Sequence, residues 1–412
     1  MTCYSLASVK ATILESQQLS CSHKKTSNTS TDSILDVVLK IRALQIDTLQ
    51  MIRRSHYIAM WSRINNYSTT FLDDLCYGPN RRFFEYWYHA ACVIPIEEFP
   101  YRYPMMKQHE EGESKRWGKW MSIDRNRSLV EEIMSILQNK GPQKTSNFSN
   151  TGPKRGAWWD WKPQKRALEY LYDSGKAIIV NRINFQKVYG LTENYLSEDM
   201  LVKTCSIEDS IIHDLEMSLL ATGVCRHQQI ADYTHMKRGV ANKYVRELIA
   251  SGIAKEISAR NFKSEKVKLL IHKDKLNLLD SYNDGQNMPT RTTFLTPFDS
   301  LFWAKGRDLE LFNFRQILEC YKPSSLRKWG YFCLPILHKG NLIGRFDPRL
   351  DRPSKTMHIN ALHLEPGVDL DDILVHDVSI AMKNFLIFHE AENISFKGTG
   401  HTGFIKRLER SL

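Results

Sequence analysis

Residues 163–191 read PQKRALEYLYDSGKAIIVNRINFQKVYGL, and this stretch decides the fold. Proline is favoured in the first turn of a helix, so Pro163 predicts a helix start, and a glycine such as Gly175 commonly ends one. The apolar runs after it, Lys176–Val180 and Gln186–Leu191, predict two strands, joined by a turn at 181–184. The stretch therefore predicts a helix that leads directly into a β-hairpin.

The same spacing of apolar residues and glycine returns later in the chain. Leu168, Leu171 and Gly175 in the first copy correspond to Val245, Leu248 and Gly252 in the second, and Leu72, Leu75 and Gly78 form a looser third match. Such self-similarity is typical of tandem copies of one structural unit. A helix-turn-helix followed by a hairpin is a winged helix, so the sequence predicts tandem winged-helix domains.

The predicted fold class is α+β, with three tandem winged-helix domains and a small C-terminal domain. The winged-helix domains are predicted at 1–124, 125–204 and 205–275, and the segment 276–289 is interpreted as a linker. Residues 290–412 change character, with strand patterns in 330–338, 341–347 and 357–364 and a helix in 371–389. We interpret this last part as a small mixed β/α, barrel-like domain.

Composition narrows the class of protein. The 412 residues carry a net charge of +11 with 42% hydrophobic residues, which is typical of a globular protein with a polyanionic partner such as nucleic acid. No apolar signal core or membrane span is present in the sequence, and the eight cysteines show no C-x-x-C pair. We predict a cytoplasmic protein without a metal or organic cofactor. Cys225 with His227 and His235 is interpreted as packing or surface chemistry.

The stretch Leu44-Gln45-Ile46-Asp47 alternates apolar and polar residues, which places one amide and one carboxylate on the same face of an extended segment. A helical run predicted from Thr48 to about Phe71 follows, with basic residues at its start. Asp47 can also be interpreted as a helix cap, with Gln50 three positions on. The alternatives are therefore a candidate reactive carboxylate or a helix start.

Basic residues are concentrated in 140–176, where eight Lys or Arg stand against three acidic residues. Such a surface suits binding to the phosphates of a nucleic-acid backbone. Trp158, Trp159 and Trp161 lie beside it and could stack on unpaired bases, although packing is the more common role for such a cluster.

A carboxylate and an amide on a DNA-facing surface can serve the hydrolysis of an N-glycosidic bond. That reaction passes through a sugar with oxocarbenium character, which an anion stabilises while it also directs the attacking water. A cationic N-alkylpurine leaves without a general acid, so one carboxylate suffices. No lysine is partnered with Asp47 in this part of the sequence for Schiff-base chemistry, which favours hydrolysis over a lyase reaction.

Taken together, ordered motifs along nearly the whole chain resemble the YcaQ-type DNA glycosylases of the AlkZ superfamily, which are bacterial winged-helix enzymes. The motifs are Leu44–Thr48, Arg54–His56, Ser62-Arg63, Glu85–Trp87, His89–Cys92, Trp158–Pro163, Lys165-Arg166, Asn184–Gln186, Val188-Tyr189, Leu295–Asp299, Leu318–Tyr321, Tyr331–Pro335 and Gly344-Arg345. The motif Leu295–Asp299 departs from the family pattern, with Thr296 for its serine and Ser300 for the proline that follows it.

The resemblance implies three winged helices around a concave basic face, a β-rich C-terminal domain, and a catalytic Gln-x-Asp motif at Gln45 and Asp47. It implies removal of alkylated purines and unhooking of interstrand crosslinks from double-stranded DNA, by a monomer without a cofactor. We expect DNA contacts from the basic residues Arg53, Arg54, His56, Arg63, Lys154, Arg155, Lys165 and Arg166. The first four could instead form a solvated helix face. Asp299 and Tyr321 are interpreted as structural.

The sequence is also compatible with two other hypotheses. A non-enzymatic winged-helix regulator would prefer one DNA sequence and tolerate loss of the Asp47 carboxylate. A structural adaptor would bind DNA and recruit partners through residues 290–412 without releasing any base.

Overall fold

The chain folds as a mixed α/β structure, seen in a computed structural model that describes residues 3–21, 30–148 and 163–412. It divides into two compact units. The first is made of Met1–Leu72, Trp87–Cys92 and Leu215–Leu412, and the second of Asp73–Tyr86 and Val93–Asp214. The four domain boundaries expected from the sequence stay a prediction.

The α-helices of the described residues are, in chain order, α1 (Leu6–Ser16), α2 (Thr31–Ile41), α3 (Ser55–Ile64), α4 (Thr69–Tyr77), α5 (Phe99–Glu110), α6 (Gly118–Met121), α7 (Asp124–Lys140), α8 (Pro163–Asp173), α9 (Glu198–Val202), α10 (Ile207–Thr222), α11 (Arg238–Ala250), α12 (Leu276–Asn283), α13 (Arg307–Phe312), α14 (Asp372–Phe388) and α15 (Thr402–Ser411). None of these helices has the length and apolar character needed to cross a membrane.

The β-strands of the described residues are, in the same order, β1 (Cys3–Tyr4), β2 (Leu44–Gln45), β3 (Phe83–Trp87), β4 (Ala91–Pro95), β5 (Gln143–Lys144), β6 (Ala177–Ile183), β7 (Gln186–Leu191), β8 (Val224–Cys225), β9 (Ala254–Arg260), β10 (Lys266–His272), β11 (Thr292–Phe294), β12 (Leu334–His338), β13 (Asn341–Asp351), β14 (Thr356–Leu364) and β15 (Asn393–Phe396).

One layout recurs in the described chain: a helix, a short strand, a further helix and a hairpin. In each occurrence the short strand pairs with the second strand of the hairpin, which gives the sheet orders β2-β4-β3, β5-β7-β6 and β8-β10-β9. The last of these sheets gains β1, which runs parallel to β9. The helix–glycine–strand spacing of the sequence thus corresponds to real elements.

The repeated glycine has a clear physical reason. Gly175 follows α8 and Gly252 follows α11, and both have positive φ, 72° and 76°. Only glycine adopts this left-handed conformation at little steric cost, so it ends the helix and turns the chain into the hairpin. At Gly175 an added Cβ would also meet the side chain of Met106 at 2.6 Å.

Three predicted element boundaries are wrong. The helix expected from Thr48 begins only at Ser55 and is interrupted after Ile64 at Asn65, which has φ 61°. The turn expected at 181–184 is narrower, because β6 runs to Ile183 and the turn residues are Asn184 and Phe185. The expected linker 276–289 begins with α12, which packs against α1 through the buried Leu279.

The C-terminal part contains the expected mixed sheet, in the order β11-β12-β13-β14-β15. The first four strands are antiparallel, and β15 runs parallel to β14. Phe294 and Phe346 of this sheet pack against Phe385 of α14. Trp61 of α3 joins this cluster, with its ring centre 4.9 Å from that of Phe385. Helix α3 is therefore fixed on the C-terminal sheet and its helix.

Candidate active site

The candidate site is built on β2 and the loop that leads from it to α3. The backbone N–H of Ile46 donates to the carbonyl of Ala91 at 2.9 Å, which extends the pairing of β2 with the β4 strand. Leu44 and Ile46 are buried, whereas Gln45 and Asp47 are half-buried. The alternation read from the sequence thus separates the apolar side chains from the amide and the carboxylate.

Asp47 does not cap a helix. Its Oδ1 accepts a hydrogen bond from the backbone N–H of Leu49 at 2.7 Å, which is a local turn. Helix α3 begins at Ser55, and the side-chain oxygen of Gln50 accepts from Arg54 at 3.0 Å instead of reaching back to residue 47. The helix-start interpretation of Asp47 is therefore wrong, and within the described residues no hydrogen bond to its Oδ2 is formed.

The surroundings of Asp47 shift its protonation. Burial raises the pKa of the Asp47 carboxyl above its ordinary value, while the Leu49 N–H and the positive Arg54 oppose this shift. The protein compensates the negative charge of such a carboxylate only in part. The charge is therefore stabilised most by a cationic reaction centre or by a proton taken from water. This electrostatic state suits a group that stabilises positive charge.

Two of the basic residues expected to bind DNA have partners within the protein. Arg53 donates to the carbonyl of Phe388 at 2.9 Å and forms an ion pair with Glu390. Arg63 is fully buried, and its two terminal nitrogens bond both oxygens of Asp299 at 2.7 and 2.9 Å. The prediction that Arg63 binds DNA is therefore replaced by a structural role, because its guanidinium has no exposed surface. Asp299 is structural, as expected.

Four of the other predicted DNA contacts lie among the described residues. His56 is buried in the first turn of α3 against the ring of Tyr57. Arg54 is half-buried and donates to the carbonyl of Thr48 at 3.0 Å, so it shapes the loop that carries Asp47. On α8, Lys165 is half-buried and Arg166 is exposed, with its guanidinium 5.4 Å from the ring centre of Trp120.

Lys154 and Arg155, and the tryptophans Trp158, Trp159 and Trp161, lie outside the described residues. Their predicted roles stay predictions.

Sequence reasoning missed a second segment beside Asp47. Burial raises the pKa of the Cys320 thiol and of the Tyr321 phenol, and the negative charge of Asp47 raises both further. Tyr321 is 71% exposed, so its side chain does not lie in the core. The motif Leu318–Tyr321 was visible in the sequence, but its distance along the chain from residue 47 concealed the proximity of the two segments.

Comparison with known proteins defines the class to which this site belongs: the chain is a DNA glycosylase. It belongs to the family described as DNA glycosylase AlkZ-like, whose family model matches residues 38–379. The fold is similar to the solved structure of the Streptomyces sahachiroi DNA glycosylase AlkZ, with a TM-score of 0.63 and 11% sequence identity, covering 96% of this chain and 100% of that one. At this identity the structural likeness concerns the fold alone.

Proposed function

We propose that this glycosylase hydrolyses the N-glycosidic bond of N-alkylated purines, especially N7-alkylguanine, and unhooks interstrand crosslinks. The observation that carries the proposal is the state of Asp47: a half-buried carboxylate with a raised pKa, two residues from Gln45, whose negative charge acts on the exposed Tyr321. Its family membership makes it a DNA-repair enzyme, which sets aside the regulator and adaptor hypotheses.

The protein need not donate a proton to the leaving base. Alkylation at N7 makes the purine cationic, so cleavage of the bond between the sugar and N9 moves the bonding electron pair onto the base and neutralises it. The sugar carbon becomes electron-poor in the transition state, and the ionised Asp47 stabilises it. A water molecule then bonds to that carbon, and its proton passes to the Asp47 carboxylate.

Gln45 is proposed to position the sugar or the water. Its side chain is two residues from Asp47 on the same face of the extended segment, and its amide can both donate and accept a hydrogen bond. Two hydrogen-bonding groups on one extended segment are held at a fixed separation, which favours a defined position for the attacking water.

DNA binding is proposed to use winged helices. The recurring layout of helix, short strand, helix and hairpin supports three of them. Arg54, at the loop of Asp47, and Lys165 and Arg166, at the start of α8, are proposed to contact phosphates, as are Lys154 and Arg155. We also propose that the enzyme acts as a monomer in the cytoplasm, where reduced thiols are usual, since all eight cysteines are free.

The test is release of N7-alkylguanine from a nitrogen-mustard-treated duplex by the wild type and by Asp47→Asn. The asparagine side-chain oxygen can still accept from the Leu49 N–H, so the loop should keep its shape while the charge is lost. We expect base release to fall about 100-fold or more, with unchanged binding to the duplex. Unhooking of a crosslinked duplex, followed on a denaturing gel, should fall in parallel.

The matched control is Asp369→Asn, which removes an exposed carboxylate from the same compact unit. This variant should release base like the wild type. If neither the wild type nor the control releases any N7-alkylguanine while both bind the duplex, the proposed substrate is wrong. Equal release by Asp47→Asn would remove Asp47 from the mechanism.

A further inference from the structure

The segment Glu319–Tyr331 is a loop before β12 that carries basic side chains and exposed apolar ones. Buried Glu319 organises it: one carboxylate oxygen accepts from the backbone N–H of Lys328 at 3.1 Å and the other from that of Trp329 at 2.7 Å. Arg327 returns to the carbonyl of Glu319 at 3.2 Å. The loop closes on itself through these bonds, so its exposed side chains have a defined position.

Two side chains of this loop expose much of their apolar surface: Tyr321 is 71% exposed and Leu326 is 66% exposed. The chain between them also carries Lys322 and is followed by Arg327 and Lys328. An exposed aromatic ring among cationic side chains is the combination found where proteins bind unpaired nucleic-acid bases, with the cations on phosphates and the ring on a base.

The loop and the Asp47 segment are attached to the same strand. The backbone N–H groups of Tyr331 and Phe332 donate to the carboxylate of Asp347 on β13, at 3.0 and 2.9 Å. Three residues along β13, the N–H of Leu350 donates to the carbonyl of Met51 at 3.0 Å. Because strand residues rise by about 3.3 Å each, these two attachment points lie roughly 10 Å apart. One strand therefore holds both the loop that carries Tyr321 and the segment that follows Asp47, and the negative charge of Asp47 acts on the Tyr321 phenol, raising its pKa.

We propose that Tyr321 stacks on the cationic base of the damaged nucleotide whose glycosidic bond faces Asp47. An electron-rich ring face attracts a cation, and an N7-alkylated purine offers both a flat surface and a positive charge. A ring that stands in solvent, and not in a closed pocket, also suits a nucleotide that is tied to the opposite strand and cannot be flipped out.

This inference rests on the proposed function, and it adds a basis for selectivity. Asp47 stabilises the sugar in the transition state, whereas Tyr321 binds the purine before the bond breaks. The stacking therefore distinguishes a damaged, cationic base from a neutral one, while Arg327 and Lys328 bind any duplex through its phosphates.

The experiment compares Tyr321→Leu, which removes the ring, with Tyr321→Phe, which keeps the ring and removes only the hydroxyl. On a duplex that contains N7-methylguanine, we expect Tyr321→Leu to lower kcat/KM roughly 10- to 100-fold, the range for loss of one stacked base. Tyr321→Phe should stay within about 3-fold of the wild type. Ile373→Ala, which removes an exposed apolar side chain from α14, is the control and should release base like the wild type.

Binding separates this inference from the proposed function. In an Asp47→Asn background, which holds the duplex without turnover, Tyr321→Leu should lose the preference for N7-methylguanine DNA over undamaged DNA and keep its affinity for undamaged DNA. An unchanged preference would overturn the stacking role, and so would an equal loss in Tyr321→Phe. If the wild type releases no base, the proposed function fails, but the binding comparison still decides whether Tyr321 recognises the cationic base.

Discussion

Asp47 and Asp299 accept the same local hydrogen bond and differ in what surrounds them. Each carboxylate accepts the backbone N–H of the leucine two residues later, at 2.7 Å from Leu49 and 3.0 Å from Leu301. Asp299 is buried and bonded at both oxygens by Arg63, whereas Asp47 is half-buried, and the nearby Arg54 donates to Thr48 and Gln50. The partner, and not the turn, separates a structural aspartate from a reactive one.

The largest effect should follow from removing the charge of the structural aspartate. In Asp299→Asn the guanidinium of Arg63 stays buried but has lost the negative charge that compensates it. We expect the free energy of unfolding to fall by about 3–5 kcal/mol. Urea unfolding of this variant beside Asp47→Asn measures the difference. Folded Asp299→Asn should still release base at low temperature, since Asp299 lies within the core. Equal stability of the two variants would contradict the division into structural and reactive carboxylates.

The second prediction concerns the pH dependence of base release. The ionised form of Asp47 is the active one, so kcat/KM should rise with pH through an inflection above the usual aspartate pKa of about 3.9, because burial raises the pKa of Asp47. The measurement is the enzyme-dependent rate of N7-methylguanine release at each pH, after subtraction of the rate in DNA alone.

Variants of two neighbouring arginines test whether Asp47 sets the inflection of this pH profile. Arg54 lowers the pKa of Asp47, so Arg54→Gln should move the inflection to higher pH. Arg53→Gln is the matched control, because Arg53 forms its ion pair with Glu390 and should leave the inflection in place. A profile without an acid limb, or a shift to lower pH in Arg54→Gln, would show that another group governs the rate.

The two aspartates also show which features can be predicted from the sequence and which cannot. Alternation over residues 44–47 predicted correctly which side chains are buried, because a strand period of two is a local property. Helix α3 begins later than the sequence predicts. The loop before it is hydrogen-bonded to a residue far along the chain, since the N–H of Leu350 donates to the carbonyl of Met51. Arg63 was interpreted as a surface cation, since nothing near it in sequence reveals an acceptor 236 positions away. Tyr321 was missed for the same reason.

The smallest predicted effect is on the stability of the reactive site itself. Because the folded protein raises the pKa of Asp47, the folded state retains this proton to higher pH than the unfolded state does. Ionisation of Asp47 therefore opposes folding, and its contribution to stability falls as pH rises from the unfolded pKa through the folded one. Asp47→Asn removes this charge, so its Tm at pH 7 should be slightly above that of the wild type, and the gain should vanish near pH 3, where the wild-type carboxyl is protonated as well. A large loss of stability at pH 7, comparable to that of Asp299→Asn, would instead make Asp47 a structural aspartate whose turn the protein needs, and would place the reactive group elsewhere.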